Sequence, residues 1–600
     1  MELTKTNFVS NPFAKCFQHV NIGLILEPFK LYMFRHSCLF VFVLIVHFSF
    51  GQKVYPKNDF VPPLPIPLIL SGTFGELRTN HFHSGIDIKT QGREGVPVIA
   101  VADGRIVRIK VSPYGFGNAI YLRHSNGYTT VYAHLQSFDK SIEEYVRSQQ
   151  YLKKSFSVEL FPSASQFSFK QGDTIALSGN SGGSGGPHLH FEIRDSRTEK
   201  IINPLLFYDV KDNRKPELLD LQFYDFEKDE LKESRKYNIV KSSEGNFYLA
   251  GSGIIEVKGR PGFAVRTFDR LNKANNKNGV FSVELRVNNQ SYHKFKMETF
   301  AFSETRYINS HIDFGQKGCC GRTMNKLLIE PNNRLSIYQN SEKMNLPVLM
   351  EDSIYSVEIL VKDIAGNLST LKFKIKKKTD RIGEGIARYS ELPLFKYGQT
   401  NFFKNDFVDL VIPDGALYKD VNFEYAEKPR CKTCFSPIYT LGSADIPIHK
   451  YFNVKIKPSL IFEGDKSKLG IASFKKGRIA DFEGGKYENG FVVGRTRQLG
   501  DFAVVVDTIP PLIQSVNFKN GANVSRLGKL KVKIADNLAG IDKFSGEMDG
   551  EWVLMAYDAK KRLLILDLNK ENFKKGKHEL KITVRDGLKN ISVANFTLIL

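Results

Sequence analysis

The most constraining stretch in this chain is Leu177-Ser-Gly-Asn-Ser-Gly-Gly-Ser-Gly-Gly-Pro-His188-Leu-His190-Phe-Glu-Ile-Arg194. A loop with almost no side chains delivers two histidines, spaced i and i+2, onto a short strand. Strand alternation places His188, His190, Glu192 and Arg194 on one face and Leu189, Phe191 and Ile193 on the other. The apolar face is the one a core buries. The polar face, approached through a loop that leaves open space, reads as the floor of a groove.

A similar pattern lies about a hundred residues upstream, in Arg78-Thr-Asn-His81-Phe-His83-Ser-Gly-Ile-Asp87-Ile. Parity puts His81, His83 and Asp87 on one face and Ile86 and Ile88 on the other. Between the two patterns, Ala119-Ile-Tyr-Leu-Arg-His124 and Tyr128-Thr-Thr-Val-Tyr-Ala-His134 flank Asn126-Gly127, a strong two-residue hairpin signal. That loop pairs Ser125 with Tyr128 and Leu122 with Val131, and points His124 and His134 to opposite faces. Ser141-Ile-Glu-Glu144 reads as a capping box opening a helix through Lys153.

Residues 81–190 hold six of the thirteen histidines. A hydrolytic zinc needs three protein ligands and an open position for water. His83 and Asp87 from one strand and His190 from another can supply them. His134 and His188 are then neighbouring imidazoles suited to moving a proton or facing a developing oxyanion. His81 shares the predicted ligand face, as an alternative ligand or a group behind one. Glu192 can orient a ligand, whereas Arg78 and Asn118 are candidate substrate contacts or turn residues. His124 faces the core. The glycine run is no phosphate cradle, because it lacks the Gly-Lys-Ser/Thr ending and leads into a strand.

Taken together, His83-x-x-x-Asp87, Tyr132-Ala-His134-Leu and Gly186-Pro-His188-Leu-His190-Phe-Glu resemble the lysostaphin-type (LytM-like) zinc endopeptidases of peptidoglycan. Gly95-Val-Pro-Val-Ile-Ala, Gly115-Phe-Gly-Asn118 and Ile202-Asn-Pro204 add to the resemblance, which covers about residues 71–208. It implies an antiparallel β-sheet peptidase domain binding one Zn2+ through His83, Asp87 and His190, with His134 and His188 as the catalytic pair. It also implies peptidoglycan peptides as substrate. All five positions hold the residue the family uses, whereas degenerate members lack some of them. A zinc peptidase acting on secreted Gly-rich proteins and a non-catalytic wall-binding or enzyme-activating scaffold are the alternatives.

The rest of the chain reads as mainly β. Asp212-Asn-Arg-Lys-Pro216 and Asp507-Thr-Ile-Pro-Pro511 are matching lead-ins. Val361-Lys-Asp363-Ile-Ala-Gly-Asn367 recurs as Val584-Arg-Asp586-Gly-Leu-Lys-Asn590. Each suits the terminal hairpin of a β-sandwich, so 211–378 and 507–600 resemble immunoglobulin-like modules. Residues 379–506 read as a less regular β-rich module. Residues 52–210 form the peptidase unit and 1–51 a signal region.

In that signal region, Met33-Phe-Arg-His-Ser precedes the apolar run Cys38 to Phe50, too short for a comfortable span and right for a secretion signal. Met33 is a candidate true start. The expectation is an exported protein of the periplasm, cell envelope or exterior, with no stable membrane span once the signal is removed. The net charge of +21 favours acidic surfaces. No basic arm or nucleic-acid motif accompanies it, so nucleic acid is not an expected partner. Cys319-Cys320 and Cys431-Lys-Thr-Cys434 read as disulfides, or alternatively as a four-thiolate zinc site.

Overall fold

The computed structural model of the chain describes residues 54–227, 230–251, 253–339, 341–378 and 392–600. The predicted signal region, 1–51, lies outside them. No helix among the described residues is long and apolar enough to cross a membrane. Residues Pro56–Leu600 pack as one unit, and the chain is mainly β, as the strand-rich sequence predicts.

The histidine-bearing region is built on β1 (Leu70–Gly72), β2 (Ile86–Lys89), β3 (Gly104–Val111), β4 (Ala119–His124), β5 (Tyr128–Ala133), α1 (Lys140–Lys153), β6 (Val158–Leu160) and β7 (His188–Asp195). The strands form one antiparallel sheet in the order β1-β2-β7-β5-β4-β3-β6. The His-x-His strand β7 is central, between β2 and β5. Leu189, Phe191 and Ile193 are fully buried, as are Ile86 and Ile88 opposite them. Burying five such side chains contributes on the order of 10 kcal/mol before the chain-entropy cost, which fixes the register that sets His190 directly opposite Asp87.

Two local expectations are corrected. The β4–β5 hairpin pairs Leu122 with Thr130 and Tyr121 with Val131, one residue away from the predicted register. Its loop is Ser125–Gly127 with Gly127 at φ +87°, the three-residue type closed by a left-handed glycine. The one-residue slip changes which faces are shared. Tyr132 turns to the apolar face beside Phe191, at 5.4 Å between ring centroids. His124 shares that face, its Nε2 2.8 Å from Thr130 Oγ1. The helix ends at Lys153 as expected, but Asp139 caps it, accepting from the Ser141 amide at 3.0 Å.

Downstream, strands between Glu217 and Lys377 surround a core that also takes in Phe74, Phe82 and Ile201 of the preceding region. Thr299–Phe300 pairs with Ile201–Ile202, extending the peptidase sheet. Residues 393–507, expected to be less regular, form two five-stranded sheets around a shared core. Residues 507–600 form a sandwich of a four- and a five-stranded sheet. The cysteines pair within each motif, Cys319 with Cys320 and Cys431 with Cys434, so no four-thiolate site forms.

Candidate metal centre and catalytic site

Three ring or carboxylate atoms meet at the centre of the sheet. His83 Nε2, His190 Nδ1 and Asp87 Oδ1 lie 3.0 Å from one another. Asp87 and His190 arrive as a directly paired couple on β2 and β7. His83 comes from the irregular segment before β2.

Each converging atom can turn a lone pair inward, because its far side is already committed. His83 Nδ1 lies 2.7 Å from the Thr73 carbonyl, which can only accept, so that nitrogen carries the proton. His190 Nε2 donates to Glu192 Oε1 at 3.0 Å. Asp87 Oδ2 accepts from Arg78 Nη2 at 2.6 Å. Three inward lone pairs repel one another unless a cation stands among them. Their spacing is close to the ligand–ligand edge of about 3.3 Å for tetrahedral zinc with bonds near 2.0–2.1 Å. Two imidazoles and a carboxylate, each held from behind, are the donor chemistry of such a site.

The electrostatics agree. Burial pushes His83 down to about 4, keeping it neutral, the state in which an imidazole can bind a metal. Burial also acts on His190, but hydrogen bonds to Asp87 and Glu192 outweigh it and raise the ring to about 9, so without a cation a proton on Nδ1 takes the place a cation would fill. Burial opposes ionisation of Asp87, yet His83, His188 and His190 hold it well below the usual carboxylate range. Glu192, fully buried, is likewise held at about 2 against burial by the Arg194 charge and His190. The pocket is arranged to hold positive charge.

His134 and His188 stand together beside this triangle, ring centroids 4.8 Å apart. By alternation His134 shares the face of Tyr132. Its φ of +60° breaks the strand and swings the ring into the site. The turn is held by its own amide donating to Phe116 O at 2.9 Å and by Nδ1 donating to Ser181 O at 2.9 Å. His188 Nδ1 donates to Gly186 O at 2.8 Å. Backbone carbonyls thus set both tautomers and leave both Nε2 atoms as acceptors. His188 Nε2 lies 3.4 Å from Asp87 Oδ1 and its side chain is 15% exposed, more than either ligand histidine. Burial, then the charges of His190 and His188, push His134 down to about 3, so it enters any reaction neutral.

Of the remaining candidates, Arg78 braces Asp87 rather than standing free. Asn118 is a loop brace: its Nδ2 donates to Leu135 O at 3.2 Å and its amide donates to Ser181 Oγ at 3.0 Å. His81 is exposed, its Nδ1 donating to Thr79 O at 2.7 Å, and is not one of the converging groups. His124 is buried away from them, as expected.

Sequence reasoning missed several participants. Thr73, Ser181 and Gly186 act through carbonyls, which residue type does not advertise. Phe116 stacks on His190 at 5.1 Å; its signal was its place in the Gly115-Phe-Gly-Asn118 motif, which gave it no role. Arg194, on the predicted face, is clamped to Glu192 and lies 4.6 Å from the Phe302 ring of the following module.

Comparison with known proteins adds a family. The model described as peptidase family M23 matches residues 81–159, and that described as a Zu5-like domain matches residues 393–507. An uncharacterized metalloprotease of Haemophilus influenzae is 37% identical over 123 residues, covering 20% of this chain and 20% of the relative. The DD-carboxypeptidase/endopeptidase Mpg of Neisseria meningitidis serogroup B is 36% identical over 150 residues, covering 24% and 28%. The murein hydrolase activator NlpD of Escherichia coli is 34% identical over 125 residues, covering 21% and 26%. The match therefore spans little more than a quarter of any of these relatives. Within those bounds, the chain carries a domain of peptidase family M23, the lysostaphin-type metallopeptidases its motifs resemble, and a Zu5-like domain behind it.

Proposed function

We propose that this chain is an exported zinc metalloendopeptidase that hydrolyses peptide bonds in bacterial peptidoglycan. The observation that carries the reading is the triangle of His83, Asp87 and His190 with each far atom fixed, beside two histidines whose Nε2 atoms are both free to accept.

His83 Nε2, His190 Nδ1 and Asp87 Oδ1 would hold the zinc. When bound there, zinc supplies Lewis-acid polarisation of a peptide carbonyl and acidifies water. The chain does the rest. His188 Nε2, the more open of the pair, takes the proton from attacking water and returns it to the leaving amine. His134, neutral and held by Ser181 O, offers Nε2 as a second acceptor, and only once it has taken up a proton can it donate to the tetrahedral oxyanion. The glycine loop 179–186 leaves clearance for an extended peptide. Glu192 and Arg78 keep the ligand atoms aimed inward. The sandwich at 507–600, read as immunoglobulin-like, and the module before the Zu5-like domain would position the enzyme on the wall or border its groove.

Peptidoglycan as substrate rests on the family motifs and on two relatives named for wall chemistry, a DD-carboxypeptidase/endopeptidase and a murein hydrolase activator. The activator is a reason to test catalysis directly. Purified sacculi and a Gly-rich protein are digested side by side by the zinc-loaded full chain, and the fragments identified by mass spectrometry. Peptide release from sacculi, abolished in His188→Ala at unchanged zinc content, is the expected result. Intact sacculi with zinc bound would leave the chain a binder or activator; cleavage of the Gly-rich protein alone would move the substrate off the wall.

A further inference from the structure

Two carboxylate clusters outside the peptidase domain repeat each other. One ligand atom each from Asp212, Asp269 and Asp363 lie within 4.8 Å of one another, and the same holds for Asp507, Asp536 and Asp586. The lead-in Asp and the hairpin Asp of the sequence repeat are thereby brought together twice, and by the same device. Asn367 donates its amide and Nδ2 to the two oxygens of Asp363 at 2.8 and 2.7 Å, and Nδ2 also reaches Asp212 O at 3.2 Å. Asn590 repeats this on Asp586 at 2.8 and 2.7 Å and on Asp507 O at 3.0 Å.

The first cluster differs in what it leaves unsatisfied. Asp212 Oδ1 accepts the amides of Asn272 at 3.0 Å and Arg214 at 3.3 Å. Asp212 Oδ2 and Asp269 Oδ1 are both shielded from solvent and have no hydrogen-bond partner. Asp269 is only 3% exposed. Asn278 exchanges both backbone hydrogen bonds with it, at 2.9 and 2.8 Å, and so shares its face of the ladder. The side-chain oxygen and nitrogen of Asn278 are also buried and unpartnered. Among the described residues, no lysine or arginine forms an ion pair with Asp212, Asp269 or Asp363. Burial and the neighbouring Asp363 carboxylate push Asp269 up to about 7, a measure of how little opposes the charge. A buried oxygen lacking a donor costs about 1–3 kcal/mol, and more when charged. In the second cluster only Asp536 Oδ1 is left buried and unpartnered; backbone amides of Ile509 and Ala539 take the two oxygens of Asp507, and those of Leu538 and Gly540 take Asp536 Oδ2.

We propose that Asp212, Asp269 and Asp363 bind a hard divalent cation of the calcium class, with Asp269 Oδ1 and Asp212 Oδ2 among its ligands. An all-oxygen set selects calcium over zinc. One oxygen from each of the three carboxylates lies within 4.8 Å of the others, close enough for a single ion to reach all three. The cation ties together three segments distant in sequence: the lead-in from the peptidase domain, the end of strand Arg260–Phe268 and the hairpin turn at Asp363. Asp212 also lines a polar cavity of about 490 Å³ with Tyr208, Asp209 and Asn272, which gives the ion a route in. Calcium would therefore stiffen the joint between the peptidase domain and the next module.

The test titrates calcium chloride into the full chain, with the histidine site kept zinc-loaded, and reads heat and thermal unfolding. The parent is expected to bind calcium with a Kd of about 0.1–1 mM, the range of extracellular modules, and to gain several degrees in Tm. Asp269→Asn should weaken this binding at least ten-fold, whereas Asp536→Asn should leave it unchanged. Asp212→Asn, which keeps the Oδ1 acceptor, serves if Asp269→Asn does not fold. A parent showing neither heat nor Tm shift, or Asp269 and Asp212 variants that bind as the parent does, would overturn the proposal. Neither result bears on the peptidase reading.

Discussion

Lys560, on the last sandwich, donates to the Ser184 carbonyl at 3.0 Å and to the Asn180 side-chain oxygen at 3.1 Å. Ser184 Oγ in turn donates to Gly186 O at 2.7 Å, the carbonyl that sets the His188 tautomer. The same sandwich grips α1: Glu571 meets Arg147 and Tyr151 at 2.7 Å, and Lys570 meets Glu143 at 2.7 Å. Helix α1 is thus the seat for the distant module.

Lys560→Met should therefore loosen the glycine loop. Charge-assisted hydrogen bonds are worth about 1.5–3 kcal/mol, so amide exchange at 181–186 should quicken roughly ten-fold and turnover should fall. Zinc content should not change. Unaltered exchange in that loop would mean the contact holds nothing in place.

Glu192→Gln should weaken metal binding by about 10–100-fold, since it removes the charge that aims His190. Arg78→Met should act in the same direction through Asp87. Competition against a chromophoric zinc chelator measures both. If Arg78→Met raised KM with zinc affinity intact, Arg78 would be a substrate contact after all.

Asp87 and His190 were legible as a converging pair because period-2 alternation and cross-strand pairing fix them, in paired positions whose opposite faces are wholly apolar; His83 comes from an irregular segment that alternation does not reach. His134 was legible as a residue but not as a direction. Its place depends on a positive φ held by carbonyls from two other loops, and nothing in a local pattern encodes that. The hairpin register was missed by one residue because Asn-Gly serves both two- and three-residue loops. The role of Lys560 was invisible, since it depends on how the last sandwich seats on α1. The acidic clusters lay half in view: the repeated Asp and Asn were seen, but Asp269 sits outside the repeat motif.

Acid should destabilise the module at 211–378. Burial pushes His293 down to about 3 and His311 down to about 4, against about 6.5 in the unfolded chain. The unfolded state therefore binds more protons between those values. Stability is full above pH 6.5 and declines as pH falls, by about 1.4 kcal/mol per pH unit for each ring, until the folded rings also protonate. His293 Nε2 has no hydrogen-bond partner, so His293→Leu removes a titrating group without breaking a bond there. Its Tm should drop less steeply than the parent's from pH 6.5 to 4; parallel curves would refute the assignment.

One of the closest backbone approaches beside the site joins two glycines. A Cβ on Gly182 would stand 2.3 Å from Gly117 N and 2.5 Å from Gly115 O, at φ +68°. Both obstacles are backbone, so the two loops must separate and the Gly183 amide must lose Gly115 O, now at 2.8 Å. These loops supply Phe116 O and Ser181 O, the two acceptors that hold His134 in its left-handed turn. Gly182→Ala should therefore cost about 1–3 kcal/mol and lower kcat, with zinc stoichiometry kept because His83, Asp87 and His190 are untouched. Gly185→Ala is the matched control, since Gly185 is exposed and its added Cβ meets nothing within 4 Å and surface changes of that kind stay within about 0.5 kcal/mol. If both variants lost activity alike, the run would serve by chain flexibility, and close approach would not be the reason for glycine at 182.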